Sequence, residues 1–567
     1  MAIHKNISGA EAILISLMEE GVDTLFGYPG GAIIPIYDKL YDYKDKLRHI
    51  LTRHEQGAVH SAQGFARATG KVGVCMATSG PGATNLITGI ADAMIDSTPL
   101  VCITAQVGSG LLGSDAFQEG DTVSMTMPIS KWNCQITRVE EIPEAVAKAF
   151  FIAQNGRPGP VVIDITKDAQ ASLLERFEYK KCTSLRSYNP RPAIDQTLID
   201  SAVELINNAS KPLFIVGQGV KLSGAEQSVI DLCEKAYIPM ASTLMGLSAI
   251  PSSHPLFVGK LGMHGNIAAN EMTQNCDLLI AVGMRFSDRV TGDLAQYAPL
   301  AKIIHVDIDA VELNKIVKSD ISIEADAKDA VEAMYAKVNT AERAEWLAFG
   351  KEQYNKEYEE CIDPIIHPTT DELTMGEVVD MVAEKYKGDA IIVTDVGQQQ
   401  MFASRYSKFN TTRTFITSGG FGTMGFGLPA AIGAKIGCPD KEVILFAGDG
   451  GIQMTMQELG TILQENISVK IVVLNNSFLG MVRQWQQLFF DSRYSFTEMV
   501  NPRFDKIAAA YDIDNSKVDT REQLKVAIEE MAECKGAYLM EVSVINELNV
   551  FPMVPAGASI SNLILKE

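Results

Sequence analysis

Short apolar runs rich in β-branched residues recur along the whole chain, and most of them end at a glycine or an acidic residue. The clearest lie at 72–77, 100–105, 160–165, 213–216, 278–282, 303–308, 390–394, 443–447 and 469–474. Continuous apolar runs of this length are typical of parallel strands that are buried on both faces. Because helical patterns alternate with the runs, the sequence predicts an α/β fold built on open parallel sheets.

Two polar stretches divide this pattern. One, at 180–194, contains two prolines, and the other is a charged helical segment around 342–358 that is followed by CIDPIIHPTT. A chain of 567 residues is also too long for a single core. We therefore predict three domains, at 1–185, 190–345 and 365–567, each with a central parallel sheet flanked by helices.

Composition limits the partners and the location of the protein. The formal charge of −21 argues against a nucleic-acid partner, because counterion release needs clustered Lys and Arg. No apolar run reaches the ~18 residues of a membrane span. The N-terminal MAIHKNISGAEAILISLMEEG is interrupted by glutamates and predicts an amphipathic helix rather than a signal peptide. Nine cysteines without a CxxC pair favour a reducing compartment, so we expect a cytoplasmic protein without membrane partners.

Histidines are absent from the last 200 residues, since the last of the eight is His367. Chemistry in that part of the chain therefore uses neither a Ser-His-Asp triad nor a histidine base or metal ligand. Ligands of open parallel sheets bind beyond the carboxyl ends of the strands. This sequence places many of its Gly, Asp and Asn residues there.

The strongest local motif is GDGGIQMTMQELGTILQENISVKIVVLNN, which extends from Gly448 to Asn476. One predicted strand delivers Asp449 at its carboxyl end, and the next delivers Asn476. A carboxylate, an amide oxygen and a main-chain carbonyl, here that of Phe478, suit Mg²⁺ bound to phosphate oxygens. The helix after Asp449 can also direct its N-terminus at a phosphate. GDG alone is found in ordinary strand-turn-helix connections, and only its combination with NN is specific.

This arrangement resembles the cofactor motif of thiamine diphosphate enzymes. Upstream, VGQQ at 396–399 resembles the family's diphosphate contacts, with Gln399 where relatives often carry histidine. SGGFGTMGFGLPAAIG at 418–433 resembles the segment whose methionine, here Met424, holds the cofactor bent. Its GxGxxG is not a dinucleotide fingerprint, because no strand runs directly into it. The resemblance implies that thiamine diphosphate contacts Glu55, Val396, Gly397, Gln398, Gln399, Gly422, Met424, Gly448, Asp449, Gly450, Asn476, Leu479, Gly480 and Met481.

Glu55, in the motif RHEQGA, is the candidate for the activating acid. In thiamine enzymes a glutamate hydrogen-bonds the aminopyrimidine ring and promotes the imino tautomer, whose exocyclic nitrogen removes the proton from the thiazolium carbon. That role requires a buried acid. An isolated RHEQ would be interpreted as a surface charge, but its occurrence with GDG and NN favours the catalytic role. Because the cofactor is the electron sink, no histidine is needed.

Further motifs resemble the acetohydroxyacid synthase family, specifically the catalytic large subunit of its biosynthetic, flavin-containing type. They cover the chain nearly from end to end. The matching segments are FGYPGGAIIPIYDKL (26–40), ATSGPGATNLITGIADAMIDSTPLV (77–101), SDAFQE (114–119), GRPGPVVIDITKD (156–168), STLMGL (242–247), LGMHG (261–265), RFSDRVTG (285–292), LGMVRQWQ (479–486) and FPMVPAGA (551–558). Each alone has an ordinary structural interpretation, whereas their occurrence in order favours the family.

The resemblance implies a reaction. Members of the family decarboxylate pyruvate on thiamine diphosphate and join the two-carbon remainder to pyruvate or 2-ketobutyrate. This is the first committed step of valine, leucine and isoleucine biosynthesis. Gly31 and Gln118 would border the reacting carbon, and Phe117 and Lys167 would help to form the substrate pocket.

Two further residues would act on the second keto acid. Arg289 would hold its carboxylate, because a guanidinium fork fits a carboxylate. Trp485 would pack against the extra methyl group of 2-ketobutyrate, so we expect a partial preference for that substrate. Gly108, where many relatives carry proline, puts herbicide sensitivity in doubt.

The middle block resembles the FAD-binding domain of the same family. The flavin would be structural, since condensation needs no redox step. RFSDRVTG, which catabolic acetolactate synthases lack together with flavin, supports the assignment. The implied FAD contacts are Arg157, Gly219, Thr243, Leu244, Met263, His264, Gly265, Arg285, Asp307, Ile308, Asp326 and Ala327. The three domains would then bind the pyrimidine, FAD, and the diphosphate with Mg²⁺, in chain order.

In this family each site lies between two chains, so we expect a homodimer or homotetramer and a small regulatory subunit. Pyruvate oxidase, which shares the fold and both cofactors, is the main alternative, and RFSDRVTG with RQWQ disfavours it. Glyoxylate carboligases replace the activating glutamate with an apolar residue, which Glu55 excludes. A regulatory paralogue with a decayed site is disfavoured by the joint presence of Glu55, Asp449, Asn476 and Arg289.

Overall fold

The computed structural model describes residues 4–566. Its N-terminal part contains eight strands and eight helices. The strands are β1 (His4–Ser8), β2 (Thr24–Gly27), β3 (Arg48–Leu51), β4 (Gly73–Ala77), β5 (Leu100–Gln106), β6 (Trp132–Ile136), β7 (Pro160–Thr166) and β8 (Leu173–Phe177). The helices are α1 (Gly9–Glu19), α2 (Ile34–Leu40), α3 (Glu55–Thr69), α4 (Pro81–Asn85), α5 (Ile87–Ile95), α6 (Thr122–Thr126), α7 (Ile142–Gln154) and α8 (Lys167–Ala171).

The middle part has six strands and six helices. The strands are β9 (Pro212–Val216), β10 (Met240–Ser242), β11 (Phe257–Lys260), β12 (Leu278–Val282), β13 (Lys302–Asp307) and β14 (Ile321–Glu324). The helices are α9 (Gln196–Asn208), α10 (Gln218–Ser223), α11 (Glu226–Ala236), α12 (Ile267–Asn275), α13 (Asp288–Thr291) and α14 (Ala327–Tyr335). α15 (Ala344–Glu357), a π-helical turn (Tyr358–Ile362) and α16 (Asp363–Ile366) lead to the third part.

The C-terminal part again has six strands, with eight helices. The strands are β15 (Ile391–Thr394), β16 (Phe415–Ile416), β17 (Val443–Gly448), β18 (Lys470–Asn475), β19 (Asp514–Val518) and β20 (Tyr538–Ser543). The helices are α17 (Met375–Tyr386), α18 (Gln398–Tyr406), α19 (Gly427–Gly437), α20 (Asp449–Thr455), α21 (Leu459–Glu465), α22 (Gly480–Phe489), α23 (Phe504–Ala510) and α24 (Arg521–Glu533).

Eighteen of the twenty strands form three parallel sheets of six, and the predicted α/β fold is confirmed. Their orders are β3-β2-β4-β5-β7-β6, β11-β10-β9-β12-β13-β14 and β16-β15-β17-β18-β20-β19. All seven residues of β5 are buried, because helices cover both faces of its sheet. The middle order, 3-2-1-4-5-6 within its sheet, is the one typical of dinucleotide-binding folds. The domain limits themselves stay a prediction.

The N-terminal prediction is only partly correct. α1 forms, but residues 4–8 before it form a strand, β1, which pairs antiparallel with β8. The partner lies more than 160 residues away in sequence, so no local pattern could indicate this pairing. Residues 1–3 of the predicted helix lie outside the described residues.

The first and third sheets are joined by a close helix contact. A Cβ atom added to Gly64 on α3 would lie 2.0 Å from the Ala430 carbonyl oxygen on α19. A Cβ atom on Gly433 of α19 would lie 1.8 Å from the Ser61 oxygen on α3. The two glycines therefore let the helix backbones touch. Within residues 4–566, no helix is both long and apolar enough to cross a lipid bilayer.

Candidate functional site

A small cavity of about 50 Å³ lies at the carboxyl ends of β15, β17 and β18. The edge of the third sheet thus gathers segments that are far apart in sequence. It brings together most of the predicted diphosphate and metal residues, namely Val396, Gly397, Gln398, Gln399, Met424, Gly448, Asp449, Gly450, Asn476, Phe478, Leu479, Gly480 and Met481. Gly422 lines the adjoining larger cavity.

Asp449 directs a buried carboxylate into this cavity. Burial raises the pKa of Asp449 to about 6, and the amide of Asn501, which donates to Oδ2 at 2.6 Å, lowers it. The same amide donates to Asn475 Oδ1 at 3.0 Å. Asn501 was not predicted from the sequence, because it lies beyond the end of the motif and no local pattern marks it. A cation beside Asp449 would offset the desolvation of its charge.

Asn476 completes the oxygen set. Its Oδ1 accepts the Phe478 N–H at 3.3 Å, and its amide donates to Gln398 Oε1 at 3.3 Å. Within the described residues no group of three or more His, Cys, Asp and Glu side chains could hold a metal ion. A single carboxylate with an amide and a main-chain oxygen suits Mg²⁺, which completes its shell with water and phosphate. The donor set therefore fits Mg²⁺ bound together with a diphosphate.

Gln399 packs against the main chain that would face the phosphates. Gly397 has a φ of 151°, and a Cβ atom there would lie 2.5 Å from Gln399 Oε1. A Cβ atom on Gly448 would lie 3.0 Å from the same oxygen. The two glycines leave their main chain open, as a cradle for an anion requires.

Two buried aspartates of the first domain hold the loop before Met424. The N–H groups of Gly419 and Gly420 donate to Asp96 at 2.8 and 2.7 Å, and Ser418 and Thr423 hydroxyls donate to Asp92. Both carboxylates also accept from a single guanidinium, that of Arg67, at 3.1 and 3.0 Å. This network was not predicted, because Asp92 lies in the apolar sequence of α5 and Asp96 directly follows that helix.

Asp395 holds the other side of Met424. Its carboxylate accepts the N–H of Gly425 at 3.0 and 3.1 Å and that of Gly427 at 3.2 Å. Burial raises the pKa of Asp395 to about 6, and these N–H groups lower it. The methionine loop is thus fixed from two directions before any ligand arrives.

The larger cavity, of about 860 Å³, lies between the middle and third sheets and shares Val396 and Met424 with the small one. It brings together eleven of the twelve predicted FAD residues: Arg157, Gly219, Thr243, Leu244, Met263, His264, Arg285, Asp307, Ile308, Asp326 and Ala327. Gly265 does not line it, and its carbonyl oxygen accepts from Arg405 at 2.9 Å.

The wall of this cavity has features suited to a dinucleotide. A Cβ atom on Gly219 would lie 2.6 Å from the Cα of Gly283, so the turns after β9 and β12 touch. His264 Nε2 is buried and has no hydrogen-bond partner, and burial lowers the pKa of His264 to about 3, which keeps the imidazole neutral. Burial raises the pKa of Asp307 to about 6. The size, the strand order and the unpaired His264 nitrogen fit FAD.

Arg289 and Trp485 line the same cavity from different domains. Arg289 follows β12 in the middle domain, and its carbonyl oxygen accepts the Met263 N–H at 2.8 Å. Its guanidinium is 61% exposed and lies 3.3 Å from Asp288. Trp485 stands on α22, with its ring 5.2 Å from that of Phe489. A cation and an aromatic face therefore lie at the wall of one cavity.

Glu55 is the first residue of α3 and is 9% exposed. Its carboxylate accepts from Asn85 Nδ2 at 2.9 Å. A Cβ atom on Gly82 would lie 3.3 Å from Glu55 Oε1, so the SGPGATN turn after β4 packs directly on the acid. The expected burial of Glu55 is therefore present.

Of the remaining first-domain candidates, Gln118 contacts the same turn and Gly31 lies next to a residue that contacts Thr78. The carbonyl oxygen of Gln118, whose φ is 60°, would lie 2.7 Å from a Cβ atom on Gly80. Gly31 has open space beside it, and its neighbour Ala32 donates to Thr78 Oγ1 at 3.2 Å. Lys167 is exposed at the start of α8, and Phe117 is 88% exposed.

The structure does not bring the first-domain candidates into the cavities that the cofactor candidates line. Glu55, Gly31, Gln118, Phe117 and Lys167 line neither of the two cavities described above. The candidate residues form two half-sites: one around the SGPGATN turn of the first domain, and one in the two joined cavities. We use the term half-site for these two sets below.

Comparison with known proteins identifies the class of enzyme. Residues 7–125, 199–334 and 395–542 match family models described as the N-terminal TPP binding domain, the central domain and the C-terminal TPP binding domain of thiamine pyrophosphate enzymes. Each match lies in a different one of the three sheet-containing parts, although the first ends before β6 and β7. The chain is therefore an enzyme with the domains of thiamine diphosphate enzymes.

Full-length relatives identify the family within this class. The chain is 44% identical to the probable acetolactate synthase large subunit of Methanocaldococcus jannaschii, covering 98% of this chain and 95% of the relative. It is 42% identical to the acetolactate synthase isozyme 2 large subunit of Escherichia coli, covering 99% and 100%. The Lactococcus lactis large subunit is 44% identical over 98% and 96%. The chain belongs to the acetolactate synthase large-subunit family.

Proposed function

We propose that the protein is the catalytic subunit that decarboxylates pyruvate and condenses the two-carbon remainder with pyruvate or 2-ketobutyrate. The observation that carries the proposal is the pair of half-sites. One offers a buried carboxylate beside a glycine turn, and the other offers a Mg²⁺ and diphosphate cradle next to Arg289 and Trp485. The acetolactate synthase large-subunit relatives support the same reaction.

The third domain would hold the diphosphate and Mg²⁺. Asp449, Asn476 and the Phe478 carbonyl would bind the metal, and the main chain at Gly397 and Gly448 would face the phosphates. Met424 lies between the two cavities on a loop fixed by Asp92, Asp96 and Asp395, and it would support the bend of the cofactor. The middle domain would hold FAD as a structural group.

Thiamine diphosphate held by these residues would supply a nucleophilic carbon and an electron sink for the decarboxylation of pyruvate. Glu55 would hold a proton at the aminopyrimidine ring nitrogen, which favours loss of the thiazolium proton. Glu55 packs against Gly82 and accepts from Asn85, and these two contacts would fix the direction of its carboxylate. Gln118 and the Gly31 main chain would border the reacting carbon.

Arg289 and Trp485 would select the second keto acid. The Arg289 guanidinium would pair with its carboxylate, and Trp485 would pack against its alkyl group. A single methylene group is worth about 1–3 kcal/mol in such a pocket. Preference for 2-ketobutyrate over pyruvate is therefore expected to be partial, whereas the loss of Arg289 affects both products.

The half-sites would meet across two copies of the chain. Glu55 and the metal cradle do not share a cavity within one chain, and large apolar side chains are exposed beside both. These are Leu111, Phe117, Met125 and Met127 in the first domain and Phe421, Met454, Val482, Phe489, Phe490, Phe496 and Val500 in the third. A second copy covering them would give a homodimer or a homotetramer. We also propose a small regulatory subunit, because the relatives are named as large subunits.

A direct test is to incubate the purified protein with pyruvate, thiamine diphosphate, Mg²⁺ and FAD. Acidification followed by a colour reaction for acetoin measures acetolactate. We expect acetolactate without oxygen uptake or acetate. Oxygen consumption with acetate and no acetolactate would instead assign the chain to pyruvate oxidation.

A further inference from the structure

A carboxylate of the third domain is buried against the first domain. Glu458 ends the 3₁₀ turn Met456–Glu458, and its side chain is fully buried. Its Oε1 and Oε2 accept the main-chain N–H of Arg53 at 3.0 and 3.1 Å, and Thr461 Oγ1 donates to Oε2 at 2.7 Å. Glu458 belongs to the QEL part of the GDG motif, to which the proposed function assigns no role.

This carboxylate lies at the N-terminal end of α3. The Arg53 N–H that it accepts belongs to the residue two positions before Glu55. The chain extends through Arg53 and His54 and becomes helical at Glu55, where His54 Nδ1 accepts the Gln56 N–H at 3.1 Å. A negative charge at a helix N-terminus is favourable. Glu458 therefore holds the backbone that sets the direction of the Glu55 side chain.

Gly57 shows how closely the carboxylate approaches. A Cβ atom on Gly57 would lie 2.2 Å from Glu458 Oε1 and 2.5 Å from its Cδ. Gly57 has helical backbone, for which alanine is intrinsically better. The absence of a side chain at this position is thus explained by the space that Glu458 occupies.

The contact is unlike an ordinary ion pair between domains. The Arg53 guanidinium donates to the carbonyl oxygens of Leu51 and Gly460 and to Gln464, and not to Glu458. Burial raises the pKa of Glu458, and the Thr461 hydroxyl and main-chain N–H groups lower it. A buried acid whose donors are a main-chain N–H and a hydroxyl fixes a position rather than supplying a strong charge pair.

We propose that Glu458 is a positioning residue for Glu55, which fixes the first turn of α3 so that the Glu55 carboxylate meets the aminopyrimidine ring. The inference rests on the proposed role of Glu55. It predicts that loss of the contact slows proton removal from the cofactor without weakening cofactor or substrate binding. Misplacement of a reacting group by about 1 Å can cost on the order of 100-fold in rate.

The test uses the holoenzyme and measures hydrogen–deuterium exchange at the thiazolium carbon by acid quench and NMR, beside kcat and KM. In Glu458→Gln one carboxylate oxygen becomes an NH₂ group, so the Arg53 N–H loses one of its two acceptors and the Thr461 hydroxyl can keep its contact only by accepting instead of donating. We expect the exchange rate and kcat to fall about tenfold or more. The KM for pyruvate and the affinity for thiamine diphosphate should change less than about twofold.

Gly57→Ala displaces the same carboxylate from the other side. It should reproduce the slowed exchange, and the double variant should be little slower than either single one, because both remove one contact. Glu465→Gln is the matched control, since Glu465 joins the same two domains through an ion pair with Arg48 that is 51% exposed on the arginine side. It should exchange at the wild-type rate.

Glu55→Gln distinguishes a failure of the proposed role of Glu55 from a failure of the proposed role of Glu458. If Glu55→Gln exchanges the thiazolium proton at the wild-type rate, the proposed function of Glu55 fails. If Glu55→Gln is slow while Glu458→Gln and Gly57→Ala exchange like the wild type, the positioning role of Glu458 is overturned alone. If Glu458→Gln does not fold, Gly57→Ala decides by the same readout.

Discussion

The first and third sheets have the same topology but opposite surroundings at their carboxyl edges. Numbered within each sheet, both follow the order 2-1-3-4-6-5. At the third edge, Asp449 and Asn476 are 1% and 2% exposed, and both line the small cavity. At the first edge, Glu55 is buried, but Phe117 beside it is 88% exposed and Gly31 borders open space.

This difference in exposure between the two edges supports the proposal that only the half-site of the joined cavities has all of its groups in a single chain. At the third edge the groups proposed to bind a metal and a diphosphate line one cavity, where Asn501 donates to Asp449 and Asp395 holds the loop of Met424. The first edge has an acid that lines neither of the two cavities. If the proposed roles are correct, one topology supports two tasks, binding in the third domain and proton transfer in the first, and the second task would depend on another copy of the chain.

We expect the largest loss of activity from a change in the first-domain half-site, which contains Glu55. Glu55→Gln is expected to lower kcat for acetolactate by about 100-fold or more, because general acid-base catalysis contributes on that order. The colour assay for acetoin measures the rate, and fluorescence quenching measures cofactor affinity, which should stay near the wild-type value. A variant that keeps more than about a tenth of the rate would contradict the assignment of the acid.

A change in the other half-site, in the joined cavities, should instead alter the dependence of activity on Mg²⁺. Asp449→Ala removes the one carboxylate of the metal set, so the Mg²⁺ concentration for half activation should rise about 10-fold to 100-fold. Chelation with EDTA should inactivate the wild type reversibly. An Asp449→Ala enzyme with unchanged Mg²⁺ dependence and a low kcat would remove the contrast between the two edges.

An exposed side chain tests the need for a second copy. Phe496 is 99% exposed on the third domain, and Phe496→Asp should weaken self-association more than about tenfold, since a charge replaces an interface aromatic. Sedimentation velocity at several concentrations measures the change. Leu300→Asp, at a 69% exposed site of the middle domain, serves as the control and should leave association intact. Equal behaviour of both variants would argue against the proposed interface.

We expect the smallest effect on the choice of the second keto acid, which Trp485 and Arg289 of the joined cavities would determine. Trp485→Leu should lower the preference for 2-ketobutyrate by about tenfold and leave acetolactate formation largely intact. Arg289→Lys should reduce both products, because an ammonium cannot replace a bidentate fork. A competition assay with both keto acids gives the product ratio. An unchanged ratio in Trp485→Leu would show that the tryptophan only packs.

Most of the fold was predictable because the strands are continuous apolar runs. β12 has the same bounds as the predicted run at 278–282. β17 extends the predicted run at 443–447 by one residue, Gly448. β1 was missed, because a short strand with exposed residues and a distant partner has no local pattern. Parallel strands buried on both faces are thus much easier to predict than an edge pair.

The site was predictable where side chains follow strands directly. Asp449 and Asn476 were found from their place after β17 and β18, and Glu55 from its motif. Asp92 and Asp96 were missed because their task, to hold a loop more than 300 residues away, appears only when helix α5 packs on the third domain. Glu458 was inside a quoted motif, but its partner in the first domain is not deducible from spacing.

The central claim, that Glu55 of one chain works with the metal cradle of another, has a direct test. Glu55→Gln and Asp449→Ala chains with different affinity tags are co-expressed, and pairs carrying both tags are purified. Each mixed pair has one half-site combination with both residues intact, so we predict about half of the wild-type rate per pair from two inactive variants. If both residues acted within one chain, no mixed pair would contain an intact site. Mixed pairs as inactive as the parents would contradict the account.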